Sequence, residues 1–273
     1  MRTAIAILLV ALAAPALAQD AKRSIEPVVG DVYLMRNDFH NSLLVVTTEG
    51  VVRVDPINGA AGEWLNENLG QIGQERVSHL IYSHSHGDHA SGGSAHEGAT
   101  VIAHEDAPEL IDGVAPDLRV GDTHTMEIGG KSIELVNLGA GHDNQMLVTI
   151  VRPENVAFIV DVAAPKRLPF RDFGNSDIAG WFKQLEAAQA LDFEVFAPGH
   201  GGVGTKADLD DAHTYMVELQ AAVLEGLKTG KSVEQLKTDV TLDAYKDWGQ
   251  YDAWRTENIE GMARYLKSSG QVD

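Results

Sequence analysis

The sequence feature that most constrains this chain is a histidine-rich stretch, Ser83-His84-Ser85-His86-Gly87-Asp88-His89, which follows the apolar run Val77 to Tyr82. Successive side chains of an extended chain point to opposite sides, so a strand that continues for a few residues places His84, His86 and Asp88 together. Gly87 lets the backbone turn, and a helix that begins near Asp88 brings His89 to the same cavity. We therefore expect all four side chains to bind metal.

The donor types of this stretch indicate which metal it binds. Imidazole and carboxylate without thiolate suit Zn²⁺, and Mn²⁺ or Fe²⁺ also accept them. The chain has no Cys, so no ligand is a thiolate. One tetrahedral ion cannot use four such side chains and keep a position for water, so two ions with further ligands from downstream fit better. The alternative is a solvated polar loop in which several His fall together by chance.

The stretch resembles the His-x-His-x-Asp-His motif of the metallo-β-lactamase superfamily, here His84-Ser85-His86-Gly87-Asp88-His89. Three later segments resemble the remaining motifs of that superfamily, and each adjoins an apolar strand: Gly139 to His142, Val156 to Asp161, and Val195 to His200. Ligands of open α/β sheets collect beyond the carboxyl ends of strands, so all four motifs can meet at one edge. The resemblance implies an α+β fold, the four-layer αββα metallo-β-lactamase sandwich.

The resemblance also assigns a role to each ligand. It implies that the first zinc ion is held by His84, His86 and His142, the second by Asp88, His89 and His200, and that Asp161 bridges both. A bridging Asp resembles the dizinc thioesterases of the glyoxalase II type and the lactonases, whereas lactamases with a Cys ligand lack that bridge. Asp88 is the expected catalytic residue, which orients the water shared by the two ions and takes its proton.

These motifs predict an enzyme, a dinuclear zinc hydrolase that uses a metal-bound hydroxide to cleave an acyl bond in a lactam, a lactone or a small ester. Hydrolysis of β-lactams themselves stays open. One alternative is a thioesterase of the glyoxalase II type. The signal-like pattern of Met1 to Ala18 predicts export and so disfavours this alternative, because glutathione thioesters belong mainly to the cytoplasm. The other is a non-catalytic periplasmic metal-binding accessory protein of a redox system. Asp88 and Asp161 argue against it, because a mere binder has no need of a poised water.

Two segments hold candidates for substrate contact. The superfamily's hairpin between the first two strands overhangs the pocket, and here that turn contains Phe39 and His40. Just past the bridging acid, Lys166, Arg167 and Arg171 are three cations in an otherwise acidic chain. We expect one of them to hold a substrate carboxylate. The alternative is that they form surface ion pairs with the many acidic residues.

The first residues have the pattern of a secretory signal. Met1-Arg2-Thr3 is followed by the apolar run Ala4 to Ala14 and by small residues up to Ala18, after which we expect cleavage. A membrane anchor needs about 20 apolar residues, so none is expected. The alternative is an apolar N-terminal helix of the fold. With residues 1–18 removed, residues 19–273 are expected to form a single metallo-β-lactamase-fold domain with C-terminal helices, located in the periplasm or secreted.

The charge of the chain bears on its partners. The formal net charge is −19 at pH 7, and loss of Arg2 with the signal takes it to −20. Such an acidic surface repels phosphate backbones and anionic membranes, which argues against a nucleic-acid partner. We expect a small-molecule substrate, and the sequence leaves the oligomeric state open.

Asp55 ends the apolar strand Val51 to Asp55 and has two interpretations of equal weight. The resemblance implies that it supports the metal site from behind the ligands. It could instead cap the following helix, predicted over Ala60 to Gly70.

Several further expectations concern local structure. The segment Glu105 to Ile111 is predicted to be helical, and His96 and His104 are expected at the surface or the edge of the pocket. Helical periodicity is also present in Ile178 to Leu191, Ala207 to Gly226, Ser232 to Thr238 and Tyr251 to Leu266. Core or interhelical packing is expected for Tyr215, Tyr245, Trp248, Tyr251 and Trp254.

Overall fold

The computed structural model describes residues 21–272, so the signal predicted over residues 1–18 lies outside the described residues. The strands are β1 (Arg23–Val29), β2 (Val32–Asn37), β3 (His40–Thr47), β4 (Gly50–Val54), β5 (Val77–Ile81), β6 (Thr100–His104), β7 (Leu118–Val120), β8 (Thr123–Ile128), β9 (Lys131–Asn137), β10 (Leu147–Arg152), β11 (Val156–Ile159), β12 (Val195–Pro198) and β13 (Gly204–Thr205). The α-helices are α1 (Gly59–Asn68), α2 (Gly87–Ala90), α3 (Ile178–Ala190), α4 (Lys206–Lys228), α5 (Val233–Asp239) and α6 (Tyr251–Ser268). Short 3₁₀ helices cover Leu69–Ile72, Gly93–Ala95 and Asp243–Tyr245.

Two mixed β-sheets organise the chain. The first has the order β1-β2-β3-β4-β5-β6-β7, with antiparallel pairs from β1 to β4 and parallel pairs from β4 to β7. The second has the order β13-β12-β11-β10-β9-β8, in which β11 and β12 are parallel and the other pairs antiparallel. Because β9 and β11 both run antiparallel to β10, they run parallel to each other. The carboxyl ends of β9, β11 and β12 therefore lie at one edge.

The first sheet is buried on both faces. Its neighbouring side chains alternate between two apolar clusters: Leu43 packs with residues of the second sheet, whereas Leu44 packs with Ala61 and Leu65 of α1. The second sheet shares its cluster with the helices α3, α4 and α6. The layers are thus helix, sheet, sheet and helix, which confirms the predicted αββα sandwich. Within residues 21–272, no helix combines the length and apolar character that a bilayer crossing requires.

Hydrogen bonds join the two sheets at the edge that carries these strand ends. The N–H of Leu147 donates to the carbonyl of Ser83 at 2.8 Å, and the N–H of Asn41 donates to the carbonyl of Gly199 at 2.8 Å. The buried side-chain amide of Asn41 also donates to the carbonyl of Pro198 at 2.9 Å. The chain segments that follow β5 and β12 are therefore each fixed to a strand of the opposite sheet.

The helix predicted over Glu105 to Ile111 does not form, and the segment consists of turns. Pro108 lies inside it and has no N–H to donate to the preceding turn. The guanidinium of Arg119 donates to the carbonyls of Glu105, Ala107 and Pro108, which takes the place of helical hydrogen bonds. That prediction was wrong because a long-range side chain satisfies the backbone of this segment.

The prediction that His96 and His104 lie at the surface or the pocket edge was also wrong, since both are buried. Nε2 of His96 lies 2.6 Å from Nη1 of the buried Arg53. Burial and the charge of Arg53 lower the pKa of His96 to about 3, so this ring is neutral. Nε2 of His104 contacts the side-chain amide of Asn137. Both histidines belong to buried polar networks of the fold.

The hydroxyl of Thr149 on β10 generates a stability prediction. It is fully buried and has no hydrogen-bond partner among residues 21–272. Thr149→Val keeps the shape and removes the desolvated hydroxyl, so the free energy of unfolding should rise by about 1 kcal/mol. Urea-induced unfolding followed by circular dichroism measures this change.

Thr47→Val is the matched control, because the Thr47 hydroxyl donates to the carbonyl of Gly50 at 2.7 Å. This substitution should lower the free energy of unfolding by about 1 kcal/mol. Equal destabilisation by the two variants would contradict the assignment of an unsatisfied hydroxyl at Thr149.

Candidate metal centre

Side chains from both sheets converge beyond the carboxyl ends of the strands. One group consists of His84, His86, His142 and Asp161, and the other of Asp88, His89, Asp161 and His200. In each group the candidate ligand atoms all lie within 4.8 Å of one another. The structure thus brings together every residue that was predicted to bind metal.

Asp161 belongs to both groups because each of its carboxylate oxygens faces a different set of imidazoles. Oδ2 lies 3.6 Å from Nε2 of His84 and 3.4 Å from Nε2 of His142. Oδ1 lies 3.4 Å from Nε2 of His89 and 3.1 Å from Nε2 of His200. Two ligands about 2.1 Å from one ion are about 3.4 Å apart at a tetrahedral angle, so these separations suit metal ligands.

The remaining ligand atoms complete the two groups. Nδ1 of His86 lies 3.1 Å from Nε2 of His142, and Nε2 of His89 lies 3.1 Å from Nε2 of His200. Oδ2 of Asp88 lies 3.6 Å from Nε2 of His89. Two imidazole lone pairs that face each other repel unless a proton or a cation lies between them. A divalent cation in each group would remove this repulsion.

Hydrogen bonds on the far side of the rings orient two of the ligands. The Ser83 hydroxyl donates to Oδ2 of Asp55 at 2.7 Å, so it accepts from Nδ1 of His84 at 2.9 Å. Nε2 of His84 then carries the lone pair, and it is a buried atom without a hydrogen-bond partner in the described part of the chain. Nδ1 of His200 donates to the carbonyl of Phe39 at 2.9 Å, which leaves its Nε2 for a metal ion.

Asp55 lies behind the ligands and is fully buried. Its Oδ1 accepts from the N–H of Ser83 at 2.8 Å, and its Oδ2 lies 3.6 Å from Nδ1 of His89. Burial raises the pKa of Asp55 to about 6, although His89 and Ser83 act in the opposite direction. Helix α1 is capped instead by Asn58, which accepts from the N–H of Ala61. The geometry supports the interpretation of Asp55 as a residue that orients ligands and excludes the capping role.

The backbone turns sharply where these acids leave their strands. Asp55 after β4 has φ 64° and Asp161 after β11 has φ 56°, both in the left-handed region that Asp adopts more readily than most residues. The chain also approaches closely at Gly199, where an added Cβ would lie 2.6 Å from Cγ1 of Val160 and 3.1 Å from Cε1 of His89. Glycine at this position lets the next residue, the candidate ligand His200, reach the cluster.

His142 is held by Gln184, a residue outside every motif of the sequence. Oε1 of Gln184 accepts from the N–H of His142 at 2.7 Å, and the Gln184 amide donates to the carbonyls of Gly139 at 2.6 Å and Asp143 at 2.8 Å. Oδ2 of Asp143 in turn lies 3.5 Å from Nε2 of His86. Gln184 occupies a fully buried position of α3. A Gln on the apolar face of that helix is the signal that could have identified it.

The protonation states of Asp161 and His84 suit metal binding. Burial alone raises the pKa of Asp161, but His89, His142 and His200 outweigh it and hold the pKa well below its usual range. Burial lowers the pKa of His84 well below its usual range. Ionised carboxylate and neutral imidazole are the forms that bind metal ions.

The electrostatics also favour a cation near His89. Burial alone would lower the pKa of this ring, but Asp161, Asp55 and Asp88 raise it to about 9. The carboxylates thus stabilise positive charge at this position, which a divalent ion supplies more fully than one proton. His40 lies 3.3 Å from Oδ2 of Asp88, and this contact holds the pKa of Asp88 below its usual range.

The cluster lies on the wall of a cavity of about 1010 Å³. Much of the remaining wall is aromatic and comes from α3, α4, α6 and the loops beside them: Phe170, Phe173, Trp181, Tyr215, Trp248 and Trp254. The predicted packing role of Tyr215, Trp248 and Trp254 is therefore only part of their function, because they also face this cavity. Helical periodicity alone gave no signal of it.

The residues predicted to contact substrate fall into two sets. Phe39, His40 and Arg167 line the cavity, whereas Lys166 and Arg171 do not. Lys166 is exposed, and Nε of Arg171 lies 3.8 Å from the carboxylate of Glu257 at the surface. Arg167 is thus the cation of its loop that can meet a ligand in the cavity.

Known structures share this architecture at low sequence identity. A metallo-β-lactamase from Pontibacter korlensis is 21% identical, with a TM-score of 0.61, over 71% of this chain and 99% of that chain. The DIM-1 metallo-β-lactamase is 19% identical, with a TM-score of 0.61, over 71% of this chain and 97% of that chain.

A double mutant of the sec-alkyl sulfatase PisA1 is 14% identical, with a TM-score of 0.70, over 91% of this chain. This chain spans 50% of that protein's length. No protein-family model and no curated protein matches the sequence. The resemblance that began with the His84 to His89 motif is matched by the architecture, and the chain has the metallo-β-lactamase fold.

Proposed function

We propose that this protein is a dinuclear metallohydrolase that cleaves an acyl bond in a lactam, a lactone or an ester that carries an anionic group. The observation that carries the proposal is the Asp161 carboxylate, whose two oxygens each face a separate set of ligand atoms. One ion would leave one of these sets without a cation. The names of the structural neighbours, metallo-β-lactamases and an alkyl sulfatase, also denote hydrolases.

Each group of ligands would hold one ion, and the nitrogen and oxygen donors favour Zn²⁺, with Mn²⁺ and Fe²⁺ as other candidates. Such a pair supplies a water molecule of lowered pKa and polarises the substrate carbonyl. Asp88 is the candidate ligand whose exposed carboxylate faces the cavity. It can therefore orient that water and accept its proton. Nε2 of His40, 3.3 Å from Asp88, can relay the proton to the leaving group.

The position of Arg167 is the evidence that the substrate carries a negative charge. Its guanidinium is half-buried, lies 5.0 Å from the ring centre of Trp254, and has no carboxylate within ion-pair distance among residues 21–272. Burial lowers the pKa of Arg167, and the Asp161 charge acts against this shift. A partly desolvated cation at the cavity wall gains from a carboxylate on a ligand.

The proposed location is outside the cytoplasm, either in the periplasm or secreted. Its support is the positive, apolar and small-residue pattern of Met1 to Ala18. The net charge of −19 supports a small-molecule substrate over a nucleic acid.

A substrate panel tests the proposal and separates it from the alternatives. The metal-loaded protein is assayed with β-lactams, lactones, thioesters and aryl esters, beside Asp161→Asn. Turnover of lactams, lactones or esters by the wild type alone supports the proposal. Turnover restricted to thioesters favours the glyoxalase II type, and bound metal without any turnover favours the accessory protein.

The first prediction of the proposed function concerns metal stoichiometry. The purified wild-type protein should hold about two ions per chain, and His84→Ala and His200→Ala should each reduce this to about one because they belong to different groups. His79→Gln, outside the cluster, is the control and should hold the wild-type amount. Plasma mass spectrometry measures the content, and one ion in the wild type would contradict the two-ion site.

The second prediction concerns the proton acceptor. Asp88→Asn should lower kcat by about 10²- to 10⁴-fold, because the amide cannot take a proton from the water. Asp106→Asn, at an exposed carboxylate outside the cavity, should leave kcat unchanged. Metal content is measured on each variant so that loss of metal and loss of the proton acceptor are distinguished. A fully loaded Asp88→Asn with wild-type kcat would contradict the assignment.

The third prediction concerns Arg167. Arg167→Ala should raise KM by about 10- to 100-fold for substrates that carry a carboxylate, because a charge-assisted hydrogen bond is lost. Neutral analogues should keep their KM, and Arg171→Ala should change neither. An unaltered KM of Arg167→Ala for anionic substrates would remove this role.

A further inference from the structure

We infer that the inner part of the cavity binds an extended apolar group of the substrate, an alkyl or aryl chain joined to the scissile acyl bond. This inference rests on the proposed function and specifies its substrate class. We call this part the aromatic chamber, and it is lined by Phe173, Trp181, Tyr215, Met216, Trp248 and Trp254.

The size of the cavity exceeds what a small lactone or ester needs. Sites for small molecules measure about 300 to 1,000 Å³, and this cavity of about 1010 Å³ lies at the upper limit. Phe39 is 72% exposed and Phe170 is 57% exposed, so these rings mark the mouth. Trp181 and Tyr215 are buried and mark the inner wall. The cavity therefore extends from the surface, past the metal ligands, to the apolar interior.

The polar atoms of the inner wall are occupied by the protein itself. Nε1 of Trp181 donates to the carbonyl of Val162 at 2.8 Å. The hydroxyl of Tyr215 donates to Oδ1 of Asn258 at 2.7 Å. Neither residue therefore offers a free polar atom to the chamber. A polar group placed against them would lose hydrogen bonds to water without replacement, whereas an apolar chain would not.

One backbone pairing connects the chamber to the metal centre. The N–H of Gly249 donates to the carbonyl of Lys166 at 2.8 Å, and the N–H of Leu168 donates to the carbonyl of Gly249 at 3.1 Å. This pairing fixes the loop that follows Asp161 beside Trp248, and it holds Arg167 over Trp254. The polar head of a substrate can then lie at the metal ligands and Arg167 while its chain enters the chamber. The substrate class is an amphiphilic ester or lactone.

The experiment is a chain-length series on the metal-loaded full chain, with 4-nitrophenyl esters from acetate to decanoate. Because each methylene that leaves water contributes to binding, kcat/KM should rise by about fourfold per methylene until the chamber is full. Ala212 lines the cavity from α4. Ala212→Phe should abolish the rise, so that its kcat/KM changes little from short to long chains. Ala221→Phe, at an exposed position of the same helix, should keep the wild-type series.

A second measurement needs neither turnover nor a variant. Calorimetric titration of the wild-type protein with butanoate, hexanoate, octanoate and decanoate should show Kd falling with chain length by about the same factor per methylene. If Ala212→Phe does not fold, this titration alone decides the inference.

The outcomes separate the two proposals. Hydrolysis of the esters, or binding of the alkanoates, without dependence on chain length overturns the aromatic chamber and leaves the proposed hydrolase. Chain-length-dependent binding of the alkanoates, without turnover of these esters or of any lactam, lactone or ester in the substrate panel, overturns the proposed hydrolase and leaves the chamber as an apolar binding site.

Discussion

The site depends on one buried carboxylate placed among imidazoles. Asp161 is surrounded by His84, His89, His142 and His200, and its charge is held in a position that desolvation strongly disfavours. A buried anion is tolerated only where cations or hydrogen bonds compensate it. With Asp55, Asp88 and Asp143, four carboxylates lie in or beside the cluster, and two divalent ions would balance their charge.

The fold supplies the rigidity that this arrangement needs. Parallel strands end at one edge in each sheet, and the backbone hydrogen bonds of Asn41 and Leu147 tie these edges together. Left-handed backbone at Asp55 and Asp161 ends β4 and β11 abruptly, so each carboxylate is set by its strand and not by a flexible loop. Ser83 and Gln184 then orient individual ligands through hydrogen bonds. The ligand geometry is thus a consequence of strand packing.

Much of the fold and the ligand set could be predicted because both depend on local pattern. The four motifs that resemble the superfamily's ligand set each adjoin an apolar strand, and the structure brings their His and Asp side chains together. The prediction of a helix over Glu105 to Ile111 was wrong because the guanidinium of Arg119, outside that segment, donates hydrogen bonds to its carbonyls. The contact between the buried side chains of His96 and Arg53 also joins residues that are far apart in the sequence. Long-range partners of this kind leave no trace in a short window of sequence.

The substrate side of the cavity was harder to predict for a related reason. The loop after Asp161 has irregular backbone, with positive φ at Lys166, Arg171 and Phe173, so no periodicity indicates which of its cations turns inward. The structure directs Arg167 inward, and helices remote in sequence supply the aromatic wall. Specificity here depends on tertiary packing, whereas the metal centre depends on strand ends.

Anomalous diffraction at the zinc absorption edge, from crystals of the zinc-loaded protein, tests the central claim most directly. The account predicts two peaks, one beside each oxygen of Asp161, with His84, His86 and His142 around one and Asp88, His89 and His200 around the other. A single peak, or a pair of peaks that does not share Asp161, would contradict it.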